Sequence, residues 1–328
     1  MTFTIHNWID IEHLFNGTLL IGNGASVAVD SRFHYNSLKD EAVKKGFLPD
    51  ELNNVFRFYD DTTDFEVVLK LLWQSSKINK ILNIDDSVTY TSYHKVKDAL
   101  IETVRDTHLS HQEICSRLGN LYSFTSRFED IICLNYDLIL YWIMMYGNSI
   151  NDGHIFKDCF SDGKFQTNWR RFIKPIGNQK KCTLVFYPHG NLIFGSDDFE
   201  EFKIHSTGGL LDDIFHCWEK GNVPLFISEA TSRKKVKTIL KSEYLSVVYR
   251  EILTDVSSNL VIYGWGMWQQ DHHIIEQLSR SYIEKVAVSV FNNDQDYCSR
   301  IDRIIKGMNP DMDIIFYDSR SAGCWVNA

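Results

Sequence analysis

Seven short apolar runs, each closed off by turn residues, constrain this chain's fold more than any other feature. They occupy residues 18–21, 130–134, 183–187, 223–227, 259–263, 286–291 and 313–317, and none alternates cleanly with polar residues. Unbroken runs of branched and aromatic side chains are what parallel strands need when helices cover both faces of their sheet. Helical patterns lie between the runs, over 137–146, 242–253, 269–278 and 294–308. Strand–helix alternation of this kind predicts an α/β chain, with a Rossmann-like, doubly wound, mostly parallel sheet and right-handed crossovers.

The stretch 37–128 differs. Val67, Leu71, Val96, Leu100, Val104, Ile114, Leu118 and Leu121 fall at helical spacings with no strand between them. They predict a helical lobe inserted in a single domain covering 1–328. Two further insertions, 151–181 and 192–222, show no clear period.

Composition narrows the function classes. With 44 % hydrophobic residues among 328, the chain has enough apolar material for a sizeable core. A net charge of −9 argues against a general grip on nucleic acid. The basic run Arg233-Lys234-Lys235-Val236-Lys237 reads as the solvated start of a helix. The seven cysteines include no Cys-x-x-Cys pair, so no zinc ribbon is expected and reduced thiols are the simple reading. The N-terminus lacks a signal-peptide pattern. The longest apolar stretch, 138–146, is far short of the roughly 20 residues that span a bilayer. A cytoplasmic protein that avoids membranes is the expectation.

Four motifs carry candidate chemistry. Gly22-Asn23-Gly24-Ala25-Ser26 follows the first strand and opens a helix. Free amides there, with glycines allowing close approach, suit a dinucleotide's diphosphate. The loop also fits an ordinary strand–turn–helix junction. It lacks the third glycine and the ribose-binding acid of a hydride-transfer Rossmann unit, so a dehydrogenase ranks low. Asn135 and Asp137 stand just past the second run, where either a ligand contact or a helix cap fits. His189, in Tyr187-Pro188-His189-Gly190, is a candidate base or a turn residue. Gly264 and Gly266 follow the fifth run, with Asp271-His272-His273 after them. Adjacent histidines do not share a helix face, so no metal site is expected from that pair.

Together, in this order, the motifs resemble the sirtuin-like family over about residues 19–292. Sirtuins carry Gly-Ala-Gly-x-Ser, Gln-Asn-x-Asp, His-Gly and Gly-Thr-Ser; the matching positions here are Gly22 to Ser26, Leu134 to Asp137, His189-Gly190 and Gly264 to Gly266. The run from Phe226 through Ser228, Glu229 and Ala230 to Ser232, continuing to Ser242-Glu243-Tyr244-Leu245, looks like a bacterial sirtuin-like subfamily. The deacylases' four-cysteine zinc module has no counterpart, and Arg32-Phe33-His34-Tyr35 stands where they carry Pro-Asp-Phe-Arg. The closer resemblance is therefore to the zinc-less NAD hydrolases of bacterial anti-phage defence. It implies cleavage of NAD to nicotinamide and ADP-ribose, with NAD as substrate and no metal. Asn135 would orient the water and ribose, His189 would accept a proton from a ribose hydroxyl or from the water, and Asp137 would contact the nicotinamide end or its ribose. Gly22, Asn23, Gly24, Ala25, Ser26, Gly264 and Gly266 would hold the dinucleotide, and Asn292 the adenosine ribose. It further implies a homo-oligomer, held inactive alone or with a partner such as a ring-forming ATPase. NAD or ADP-ribose sensing without cleavage is the first alternative. Deacylation or ADP-ribosyl transfer is the second.

Overall fold

The computed structural model describes residues 2–34, 37–58, 63, 65–175, 177–197, 200–206, 209–227 and 231–328. Tyr35 and the Ser228-Glu229-Ala230 part of the run quoted above lie outside the described residues.

The strands, in chain order, are β1 (Ile5–His6), β2 (Thr18–Ile21), β3 (Asp130–Cys133), β4 (His154–Lys157), β5 (Phe160–Ser161), β6 (Lys164–Phe165), β7 (Lys181–Phe186), β8 (Gly190–Ser196), β9 (Glu201–Lys203), β10 (Val223–Phe226), β11 (Asn259–Tyr263), β12 (Lys285–Val290) and β13 (Asp313–Asp318). Eight of them form one sheet in the order β1-β13-β12-β11-β2-β3-β7-β4. Every neighbouring pair in it is parallel. The chain is thus an α/β protein with a Rossmann-like parallel sheet. All four residues of β2 and the last three of β3 are buried, because helices cover both faces. That is why these runs show no alternation.

The helices between strands include Asn23–Val29, Ile139–Ile150, His272–Leu278 and Gln295–Met308. Asp137 Oδ1 accepts the Ile139 amide at 2.9 Å, so the helix expected from residue 137 begins two residues later behind this turn. Between β2 and β3 the described residues are helical or irregular, with no strand. The two longest helices there, Phe65–Ile81 and Ser87–Thr107, pack as a hairpin, and the first also touches β10. Val96, Leu100 and Val104 face inward as their spacing predicts, but Val68 and Leu69 are the buried pair where Val67 and Leu71 were expected.

Two expectations are corrected. The run 223–227 does not join the parallel sheet: β10 pairs antiparallel with β8 in a separate three-stranded sheet ordered β10-β8-β9. Pro224 supplies the reason, because a residue with no N–H belongs on an edge strand, and the register shifts right after it. The insertion 192–222 is also more ordered than its sequence suggests, holding most of β8, all of β9 and the helix Leu210–Glu219.

Candidate functional site

Parallel strands deliver the residues that follow them to one edge of the sheet. β2 leads to β3 on one side, while β11 returns to pair with β2 on the other. Ligands of open parallel sheets bind at the carboxyl edge where strand order reverses in this way. The loops after β2, β3, β7, β11 and β12 carry every candidate residue, so all lie along that edge.

Two of these loops, after β2 and β3, and the start of β8 are tied together by side chains. Asn135 Nδ2 donates to the Gly22 carbonyl at 3.0 Å and to Ser26 Oγ at 2.8 Å. Ser26 Oγ donates to Asp137 Oδ2 at 2.5 Å, and Asn191 Nδ2 donates to the Asp137 carbonyl at 2.7 Å. Asn135, Asp137 and Ser26 are all buried. Burial pushes the Asp137 carboxyl up, and His108, the Ser26 hydroxyl and the Ile139 amide only partly offset it. His108 Nε2 accepts the Leu138 amide at 2.9 Å, while its Nδ1 meets the Leu109 carbonyl at 2.7 Å. That pairing requires a neutral ring with the proton on Nδ1. Burial, which lowers the His108 pKa, favours the same state.

The glycine loop packs against the loop after β11. Gly22 N donates to Tyr263 O at 2.9 Å and Gly24 N to Gly264 O at 2.7 Å, while Ala25 N turns back to Gly22 O. Gly264 has φ +68°, and a Cβ on it would lie 2.4 Å from Ala25 N. Only glycine meets both demands. The diphosphate role expected of Gly22, Gly24 and Ser26 therefore has no donor facing outward in this arrangement, since all three are committed within the protein. Asn23 is exposed at the helix start, with Nδ2 donating to Phe33 O at 3.3 Å. Asn292 is also exposed, beyond β12, with φ +53°. An asparagine in a left-handed turn accounts for it locally. Gly266 lies against Trp268, whose Nε1 would sit 2.3 Å from an added Cβ.

At the end of β7, His189 is buried. Its Nε2 lies 3.0 Å from His273 Nε2. Beside the two rings, Asp271 Oδ1 accepts from Lys235 Nζ at 2.9 Å and Oδ2 from Trp265 Nε1 at 3.0 Å. Burial, then the Lys235 charge, holds the His189 pKa well below the ordinary imidazole range. The same causes bring His273 down to about 4. Both rings are therefore neutral near pH 7. Burial pushes the Asp271 carboxyl up, but the Lys235 ammonium, with its hydrogen bond and that of Trp265, pulls it down further, so it stays ionised.

The profile of one family, the domain of unknown function DUF4917, matches residues 19–325. The chain belongs to DUF4917. Comparison with curated proteins gives no match. The DUF4917 match runs from β2 to a few residues past β13, so it takes in all the loops that build this edge.

Sequence reasoning missed three members of the site. Lys235, expected on a solvated helix start, is buried, because the helix Ser232–Ile239 turns Lys235 and Ile239 inward together. Its polar neighbours hide that spacing. Adjacency alone predicts that His272 and His273 are a poor chelating pair. In the structure His272 faces solvent and His273 faces His189, a partner 84 positions away that no local pattern reveals. His108 likewise carries no local signal.

Proposed function

We propose that this protein hydrolyses NAD at the bond between nicotinamide and ribose, releasing nicotinamide and ADP-ribose. The observation that carries the reading is the Asn135 amide, which joins the Gly22 carbonyl and the Ser26 hydroxyl at the strand-reversal point. It links two of the motifs whose order resembles sirtuin-like proteins, at the edge where such a sheet binds ligands. In the reaction the glycosidic bond breaks and its electron pair leaves with the nicotinamide nitrogen, whose positive charge it cancels. The ribose takes on oxocarbenium character, as in glycoside hydrolysis, and water adds to it. Asn135 orients the ribose and that water, and His189 takes the water's proton, for which its neutral ring is suited. No metal is needed for this step.

Incubating purified protein with NAD and separating the products by liquid chromatography tests it. Nicotinamide and ADP-ribose should appear in equal amounts. Asn135→Ala and His189→Ala should each lower the rate by about 100-fold or more. Turnover persisting in both folded variants would remove the assigned site.

A second reading, NAD or ADP-ribose sensing without cleavage, draws on one observation. His189 Nε2 is turned to His273 and the Leu134 carbonyl lies against the same ring, so the base is occupied within the protein. Calorimetry showing tight binding with no product would favour it.

The further roles we propose, an NAD-depleting effector of bacterial anti-phage defence working as a homo-oligomer or with a ring-forming ATPase, rest on the resemblance alone. A free NAD hydrolase poisons its own cell, so a fully active monomer would contradict them.

A further inference from the structure

His189 and His273 come from distant parts of the chain and meet nitrogen to nitrogen, with Nε2 atoms 3.0 Å apart. Both rings are buried, at 4 % and 1 % exposure. A carboxylate oxygen of Asp271 lies within 4.8 Å of both. The buried His273 Nδ1 has no hydrogen-bond partner among the described residues. The two Nε2 atoms either share one proton in an N–H···N hydrogen bond or both turn their lone pairs to a cation between them. Histidines that bind metals put one ring nitrogen on the ion, and Nε2 is the atom that both rings present here. Two nitrogens on one tetrahedral ion, each at about 2.0–2.1 Å, stand about 3.3 Å apart, close to the spacing here. Asp271 completes a set of two imidazoles and one carboxylate, and Trp265 Nε1 steadies that carboxylate at 3.0 Å.

We propose that His189, His273 and Asp271 form a binding site for one transition-metal cation of the kind that imidazole favours, such as zinc, cobalt, nickel or copper. Calcium and magnesium are excluded by the ligand type, since they take oxygen donors. Lys235 is the built-in competitor. Its ammonium already holds Asp271 Oδ1 at 2.9 Å, so an incoming ion must share or displace it. The proposal does not rest on NAD cleavage. A bound ion takes the His189 Nε2 lone pair that the proposed reaction uses, so occupancy and turnover oppose each other at that atom.

The test uses the untagged full chain, stripped with chelator and titrated with Zn2+ by calorimetry and with Co2+ by visible absorption. One ion per chain is expected. His189→Ala and His273→Ala should each weaken affinity by about 10-fold or more. His272→Ala, changing the exposed neighbour, should leave affinity unchanged, and Lys235→Met should tighten it. As a readout independent of substitutions, pulsed electron paramagnetic resonance of the Cu2+-loaded wild type should count two coordinated imidazoles. No stoichiometric binding, fewer than two imidazoles, or unchanged affinity in folded His273→Ala would overturn the proposal. Running the NAD assay on the same metal-free preparation keeps the two readings separate, because metal binding and turnover are scored on different signals.

Discussion

Asp130 opens β3 at the edge of the sheet opposite the candidate site, and burial, with Glu129 and Asp255 nearby, raises its carboxyl from an ordinary 3.8 to about 7. In the unfolded chain the carboxyl ionises near pH 4, while in the folded chain it stays protonated until about pH 7. Stability therefore falls as pH rises between those values, and the cost stays constant above them. Asp130→Asn should raise stability at pH 8 by on the order of 2 kcal/mol and give no gain at pH 4, as read by urea denaturation at the two pH values. An equal effect at both would contradict the shifted carboxyl. Asp137 was legible as either a ligand contact or a cap. Its hydrogen bonds with Ser26 and Ile139 account for the second role, and both its oxygens are occupied. Asp137→Ala should accordingly cost about 2–3 kcal/mol of stability, checked by chemical denaturation, by stranding the buried Ser26 hydroxyl and the Ile139 amide. Unchanged stability would return Asp137 to a purely catalytic role. Asn135 could be picked out because it directly follows a buried strand. Lys235 and His273 could not, because what they do depends on partners far away in sequence.

At the scale of elements, the sequence spelled the central strands clearly and the edges poorly. β2, β3, β7, β11 and β12 are apolar because helices bury both faces, so each stands out as a run, and β13 is apolar too although its Ile314 and Ile315 are only half-buried. β4 is an edge strand, with His154 and Lys157 only half-buried, and it has no such run. β8 is almost wholly buried, yet Gly190, Asn191 and Gly195 interrupt its pattern. Those interruptions have local causes: Asn191 holds the Asp137 carbonyl, and Gly190 has φ +73° with the Leu225 carbonyl only 2.1 Å from any added Cβ. β10 was legible as a strand but not as a member of another sheet, although Pro224 marked it as an edge. The glycine pair tells a related story. Gly24 and Gly264 belong to two loops that the resemblance assigns to dinucleotide binding, and in the structure they meet each other. Gly264→Ala should cost about 2–4 kcal/mol, from a strained φ and a clash with Ala25 N, measured by thermal or urea unfolding. A loss under about 0.5 kcal/mol would show that this packing is looser than the geometry implies.

For the molecule as a whole, the pattern of runs was enough to predict a parallel α/β sheet, because burial on both faces leaves its mark in composition. The strand order was not legible, since it depends on which crossovers fall on which side. That order brings Gly22, Asn135, His189 and Gly264 to one edge, around the point where β2 has β3 on one side and β11 on the other. The helices between β2 and β3 pack on the small sheet: Lys97 Nζ donates to the Glu219 carbonyl at 3.3 Å, just ahead of β10. Among the described residues no helix is long and apolar enough to cross a membrane. Light scattering after gel filtration should give a multimer if the proposed assembly is right, and a monomer at micromolar concentration would contradict it. The central claim, cleavage of NAD at this edge, has a more direct test. Cellular NAD and ADP-ribose can be measured by liquid chromatography before and after phage infection, in cells carrying either the wild type or Asn135→Ala. NAD should fall and ADP-ribose rise after infection with the wild type only. Unchanged NAD with the wild type, or an equal fall with Asn135→Ala, would contradict the claim.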